Sequence, residues 1–330
     1  MSISNDFKTV LYREAGLRHI DRGKYCEDNV YRTVCRENGV TVVTLSDGAG
    51  SCSNAATGSE ITCRVAGDEL AQNFDMLYIY HDTKTADYLL GKINLELLAR
   101  AQSDGEDIMS YSATLLCAAM HPDGRYILFH VGDGAIIGYN TSHECETVSL
   151  YHHEGTINAT HFVTMKDKRY DLKKGKGGYY AFILMSDGPE PYLVNAEQLS
   201  PRNKLLAQLA FFTNEDAMCD QLTSMCTLFK TKKDMDDDAS FAIIMDMRGI
   251  GSVFKSLTPE LRSMLSDIKA KQSKARTRNL YTIISYIATH PKGVTNKQLA
   301  RVLHVWPKCV MNKVQPLKFI SYQNGRYYIA

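Results

Sequence analysis

No Cys-x-x-Cys occurs in this chain of 330 residues; its nine cysteines stand singly, at 26, 35, 52, 63, 117, 145, 219, 226 and 309. An odd number of unclustered thiols favours the reduced thiols of a cytoplasmic protein over a disulfide framework, and leaves no cysteine pair at zinc-ligand spacing. No apolar run approaches the about 20 residues that a membrane helix requires. The first fourteen residues already contain Asp6, Lys8 and Arg13, which leaves no signal-peptide core. The expectation is a soluble cytoplasmic protein without a membrane segment.

Acidic residues are missing from one part of the chain altogether. From Thr277 to the end there is none, against eight Lys+Arg. Residues 253–330 carry 14 Lys+Arg and two acids, or 14 − 2 = +12, whereas residues 1–252 carry 24 against 35, or −11. The near-neutral total therefore hides two parts with different partners. Residues 1–251 read as one α+β domain, 252–276 as a basic helical linker and 277–330 as a small second domain.

What the first part has is a set of short acidic segments: Cys26-Glu27-Asp28-Asn29, Ser46-Asp47-Gly48-Ala49, Val131-Gly132-Asp133-Gly134, Ser186-Asp187-Gly188 and Asp236-Asp237-Asp238-Ala239-Ser240. Three of them place Asp beside Gly directly after a strand-like run: Val42–Leu45, Ile127–Val131 and Phe182–Met185. A carboxylate at the end of a buried strand, next to a residue that lets backbone come close, suits a hard cation such as magnesium or manganese. One Asp-Gly alone would be a turn signal; the joint occurrence is what points to a metal centre.

The order of these segments, with Gly16-Leu17-Arg18-His19 before them and Ser112-Ala113-Thr114 between them, resembles the protein phosphatase 2C superfamily in its compact bacterial-type branch. The resemblance covers roughly residues 8–247. It implies a four-layer α-β-β-α sandwich of two antiparallel sheets, and two Mn2+ or Mg2+ ions that activate a hydroxide to attack phosphorus in phosphoserine or phosphothreonine. Carried over residue by residue, it makes Asp47 the bridging ligand and Gly48 a carbonyl ligand, with Asp187 and Asp237 completing the set. Asp133 matches the position that in some members helps hold a third, weaker ion, and Asp28 and Glu27 hold water nearby. The implied partners are a phosphoprotein substrate and a cognate Ser/Thr kinase. Gly155-x-x-Asn158-x-Thr160 also matches that branch, as a loop near the site with no assigned role.

Two departures matter. Gly23 stands where many members have a phosphate-clamping arginine, which leaves His19 or Arg22 as the candidate phosphate contacts. Ala49 stands where some have a histidine that protonates the leaving group. These departures keep open a catalytically weak phosphoprotein sensor or scaffold, or a nucleic-acid-linked regulator.

Residues 277–330 resemble a winged helix-turn-helix. Leu280, Ile283, Ile284 and Ile287 form a helical stripe, Thr295 caps a second helix, and Pro307 opens a third that carries Val310, Val314 and Leu317. Phe319–Tyr322 and Arg326–Ile329, joined at Asn324-Gly325, form a type I′ hairpin. Lys308, Asn312 and Gln315 on the third helix, with Arg326, are the candidate contacts to DNA or to a protein partner. Lys173–Gly178 reads as a solvated hairpin loop, since it lacks phosphate-loop spacing.

Overall fold

A computed structural model describes residues 7–150 apart from 143, residues 160–247 apart from 196–197, 199, 203–205, 207–208 and 211–214, and residues 279–329 apart from 281, 285, 288–289, 291, 316 and 318–319. The expected linker 252–276, most of an expected helix at 196–212, the loop residues 152–159 and Pro316 lie outside the described residues. The chain divides into two compact units: Thr9–Ala210 with Asp216–Ile244, and a second that includes Met245 to the C-terminus.

The first half of the larger unit runs β1 (Phe7–Glu14), α1 (Leu17–Asp21), β2 (Asn29–Val34), β3 (Thr41–Ser46), α2 (Ala55–Gln72), α3 (Phe74–Ile79) and α4 (Asp82–Asp104). Then come β4 (Leu115–Met120), β5 (Arg125–Val131), β6 (Ala135–Asn140), β7 (Cys145–Leu150), β8 (Asp171–Lys176) and β9 (Tyr179–Met185). After α5 (Glu190–Leu193), β10 (Val194–Asn195) and β11 (Ser200–Pro201), the unit closes with α6 (Glu215–Lys233) and β12 (Ala239–Asp246).

Two five-stranded sheets result, ordered β2-β3-β4-β5-β8 and β1-β12-β9-β6-β7. Ladders such as Thr44↔Cys117 and Ile137↔Ile183 are antiparallel. Helices α2, α3 and α4 cover the outer face of the first sheet. The stripe Ala86, Leu90, Ile93 and Leu97 is buried there with Leu70, Phe74, Cys117 and Phe129. The inner faces of the sheets meet in contacts such as Tyr126–Phe182, ring centroids 5.2 Å apart. Strands β3 and β4 are buried on both faces, which is why they read as continuous apolar runs rather than alternating ones. Helix α6 lies along β1, where the Lys230 ammonium donates to the Ala15 carbonyl at 2.8 Å.

Leu17, where an apolar, strand-like stretch from Thr9 would suggest extended backbone, belongs to α1, and one further local expectation changes. Lys173–Lys176 is the edge strand β8, paired with β5 from Arg125↔Lys176 to His130↔Asp171, and only Gly177-Gly178 form the turn. Lysines are common on edge strands, because the charge discourages a further strand from pairing there. Lys174 further anchors the edge by donating to Thr85 Oγ1 at 2.9 Å.

In the second unit Leu280, Ile283, Ile284 and Ile287 are buried. A three-stranded sheet, β13 (Val294–Thr295), β15 (Arg326–Ile329) and β14 (Ile320–Gln323), is ordered as named. Helix α7 (Asn296–Leu303) starts with a capping box in which Thr295 and Gln298 satisfy each other's backbone N–H. A 3-10 turn at Pro307–Cys309 leads into α8 (Val310–Val314), shorter than the expected third helix. Asn324 and Gly325, both left-handed at φ 49° and 77°, join β14 to β15 as a two-residue type I′ turn requires. Among the described residues no helix is long and apolar enough to cross a membrane.

Candidate functional site

Asp47 follows β3, Asp133 lies between β5 and β6, and Asp187 follows β9, so the acids come from both sheets. One carboxylate oxygen from each lies within 4.8 Å of the others. Burial, then the charges of Asp28 and Asp187, hold Asp47 well above the usual carboxylate range. Burial, then Asp133 and Asp237, does the same for Asp187. Asp28 is fully buried, neither of its side-chain oxygens has a hydrogen-bond partner, and burial pushes it up to about 6. Such mutual repulsion in a buried place is relieved by a cation.

The backbone around each acid is fixed by a hydroxyl. Thr114 Oγ1 accepts from the Asp47 N–H at 2.9 Å, and the Thr114 N–H donates to the Asp47 carbonyl at 2.8 Å. Ser186 Oγ accepts from the Ser240 N–H at 3.0 Å, tying the Asp187 turn to β12. Thr160 Oγ1 donates to Asp133 Oδ2 at 2.6 Å, which gives a role to the end of the Gly-x-x-Asn-x-Thr stretch. The buried His130 joins Ser149 Oγ at 2.7 Å to the Asp133 carbonyl at 3.2 Å. Gly48 is the only residue type that fits its place: a Cβ would sit 2.5 Å from the Ala55 carbonyl oxygen and 2.9 Å from that of Glu27.

The other expected residues are placed differently. Asp237 is not in the 4.8 Å group; its Oδ2 lies 3.6 Å from Arg18 Nη1, and Asp236 Oδ2 is 3.1 Å from Arg18 Nη2. His19, a candidate phosphate contact, lies in the interior. Its ring is buried, with Nδ1 2.8 Å from Asp238 Oδ1 and Nε2 3.5 Å from Glu27 Oε2, so both nitrogens already face carboxylates. Arg22 is exposed. Glu27 is buried and accepts from Lys24 Nζ at 3.0 Å.

Sequence reasoning assigns no role to Asp238, yet it is the hub of this corner. Its Oδ1 accepts from the Gly16 N–H and its Oδ2 from the Glu27 N–H, both at 2.7 Å, in addition to His19. Two adjacent acids in Asp237-Asp238, only one of which was needed for the metal set, were the available signal. Glu190 was also missed; burial, then the charge of Asp133, raises it to about 7.

The family model for protein phosphatase 2C matches residues 15–226. The chain belongs to the protein phosphatase 2C family. Solved structures agree in fold. A bacterial serine phosphatase shares 18% identity at a TM-score of 0.51, over 73% of this chain and 98% of its own. The serine/threonine phosphatase Stp1 from Staphylococcus aureus shares 18% at 0.50, over 72% and 94%. The S. agalactiae serine/threonine phosphatase gives the same identity and score, over 72% and 99%. No curated protein matches the chain.

Proposed function

We propose that the chain is a metal-dependent phosphoserine/phosphothreonine protein phosphatase, on a four-layer α-β-β-α sandwich spanning residues 1–251. The observation that carries this is the meeting of Asp47, Asp133 and Asp187 within 4.8 Å at strand ends of both sheets. The donor set fits Mn2+ or Mg2+: all are hard oxygens, burial and neighbouring carboxylates raise Asp47 and Asp187, and Asp28 lies beside them without a donor of its own. Asp47, Asp187 and the Gly48 carbonyl would hold two ions, with Asp237 completing the set and Asp133 helping to hold a third. Divalent cations there supply Lewis acidity that lowers the pKa of water and offsets charge on phosphoryl oxygens.

The chain's own residues supply the rest. The carboxylate oxygens of Asp28 are buried acceptors able to orient a water by its protons, and Glu27 lies next to them in sequence. Thr114, Ser186 and Thr160 hold the acids in place against their mutual repulsion. The nine free thiols are not needed, and burial holds Cys63 up at about 12. The reading includes a cytoplasmic location and a cognate Ser/Thr kinase. Phosphate release from p-nitrophenyl phosphate or a phosphothreonine peptide with Mn2+ tests it. Asp47→Asn is expected to lower the rate by at least about a hundredfold; equal rates would overturn the reading.

For residues 277–330 we propose a winged helix-turn-helix, supported by the capped α7, the turn into α8 and the β14–β15 hairpin. Lys308, Asn312, Gln315 and Arg326 are exposed and offer a face to a protein partner or to DNA.

A further inference from the structure

We infer that residues 17–25 form a shelf for the substrate chain, on which Arg18 meets the phosphoryl group and Leu17, Ile20 and Tyr25 meet apolar side chains flanking the phosphorylated residue. The inference rests on the phosphatase reading and adds a substrate class to it: phosphoserine or phosphothreonine set among apolar neighbours.

Position comes first. Helix α1 has five residues, too few to be stable alone. It is held by tertiary bonds to the acid-bearing segment before β12. The Gly16 N–H donates to Asp238 Oδ1 at 2.7 Å, the Arg18 N–H to the Asp236 carbonyl at 3.0 Å, and His19 meets Asp238 at 2.8 Å. The helix is thus fixed at the rim of the acid cluster by its buried side, while its other side is bare.

That bare side is chemically unusual for a solvated loop. Leu17 is 41% exposed, Ile20 56% and Tyr25 91%. Leu17 and Ile20, three apart, share a helix face. A single exposed leucine needs no explanation, but three large apolar side chains within nine residues beside a candidate active site mark a contact surface. Arg18, Arg22 and Lys24 are exposed among them beside the single acid Asp21, with Arg18 paired to Asp236 and Asp237 and Lys24 to Glu27, so the surface combines apolar area with cationic groups. That combination fits a peptide carrying a dianionic phosphate and apolar neighbours.

Arg18 is the residue placed for the phosphate. Its side chain is 47% exposed and lies against Asp236 and Asp237, and Asp187 also raises its pKa, after the larger effects of Asp236 and Asp237. A guanidinium presents a planar fork that matches phosphate oxygens. Gly23 has no side chain to offer and His19 is buried, so the cation comes from the exposed Arg18 instead.

The experiment uses the full chain with Mn2+ and three substrates. These are p-nitrophenyl phosphate, a phosphothreonine peptide flanked by leucine and isoleucine, and the same peptide flanked by serine and glycine. The wild type is expected to favour the apolar peptide in kcat/KM by about tenfold, equivalent to about 1.4 kcal/mol. Ile20→Ser with Tyr25→Ser should bring the ratio between the two peptides close to one. Arg18→Ala should raise KM for every substrate by about tenfold with a smaller change in kcat, and Arg18→Lys should recover part of it. Equal use of both peptides by the wild type, or an unchanged ratio in the double variant, overturns the shelf. An unchanged KM in Arg18→Ala overturns its phosphate contact. No phosphate from any of the three substrates overturns the phosphatase reading, and the shelf with it.

Discussion

At the scale of single residues, Asp28, Asp47, Asp187 and Glu190 are raised by burial and by neighbouring carboxylates, and this sets how the metal-free protein responds to pH. Asp28 moves from 3.8 to about 6 and Glu190 from 4.5 to about 7. A carboxyl whose pKa is raised by folding stabilises the fold below its unfolded value, and that contribution is lost as pH rises through the folded value. Stability of the metal-free chain should therefore fall between about pH 4 and 7, by about 3 kcal/mol for the Asp28 shift at about 1.4 kcal/mol per pH unit. Thermal melts in chelator should show a lower Tm at pH 8 than at pH 5, and added Mn2+ should restore more at pH 8; a flat profile would contradict this account. Asp238 makes a different demand. Asp238→Ala leaves two backbone N–H groups without acceptors and should cost about 3 kcal/mol or more, measurable by urea unfolding, whereas Asp238→Asn keeps one acceptor oxygen and should cost less. The ligand-type acids were legible in the sequence because they follow apolar runs. Asp238, His19 and Arg18 were not, because their roles depend on segments more than two hundred residues apart being brought together.

At the scale of elements, strands and turns were the most legible. The runs Thr41–Ser46, Leu115–Met120 and Tyr179–Met185 declare themselves by apolar content, and Asn324-Gly325 by its turn chemistry. Strand β8 did not, since an edge strand carrying Lys173, Lys174 and Lys176 has the composition of a loop; nor did α1, whose five residues are held by tertiary bonds rather than by helix propensity. The end of β3 depends on β4's start in a way that periodicity cannot show: Thr114 brackets Asp47 through both its hydroxyl and its N–H. Thr114→Val keeps the shape and removes the acceptor. It should lower stability by about 1–2 kcal/mol and weaken Mn2+ binding by isothermal titration. Unchanged metal affinity would mean that β3 alone positions Asp47.

At the scale of the whole molecule, charge divides the chain more sharply than any sequence motif, with −11 in residues 1–252 and +12 in 253–330. If the basic part binds DNA, retardation of a duplex by the full chain should be strong at about 50 mM salt and fall by orders of magnitude at about 200 mM, because phosphate contacts release counterions. Salt-insensitive binding, or none, would leave a protein as the partner of that face. The larger unit carries its own consequence in the origin of its acids. Asp47 and Asp133 border the sheet of β3 and β5, and Asp187 borders the sheet of β9, so neither sheet holds the cluster alone. A molecule whose sheets have slipped out of register loses its acid cluster at the same moment as its native packing. On the phosphatase reading, damaged or half-folded copies are therefore silent rather than unregulated.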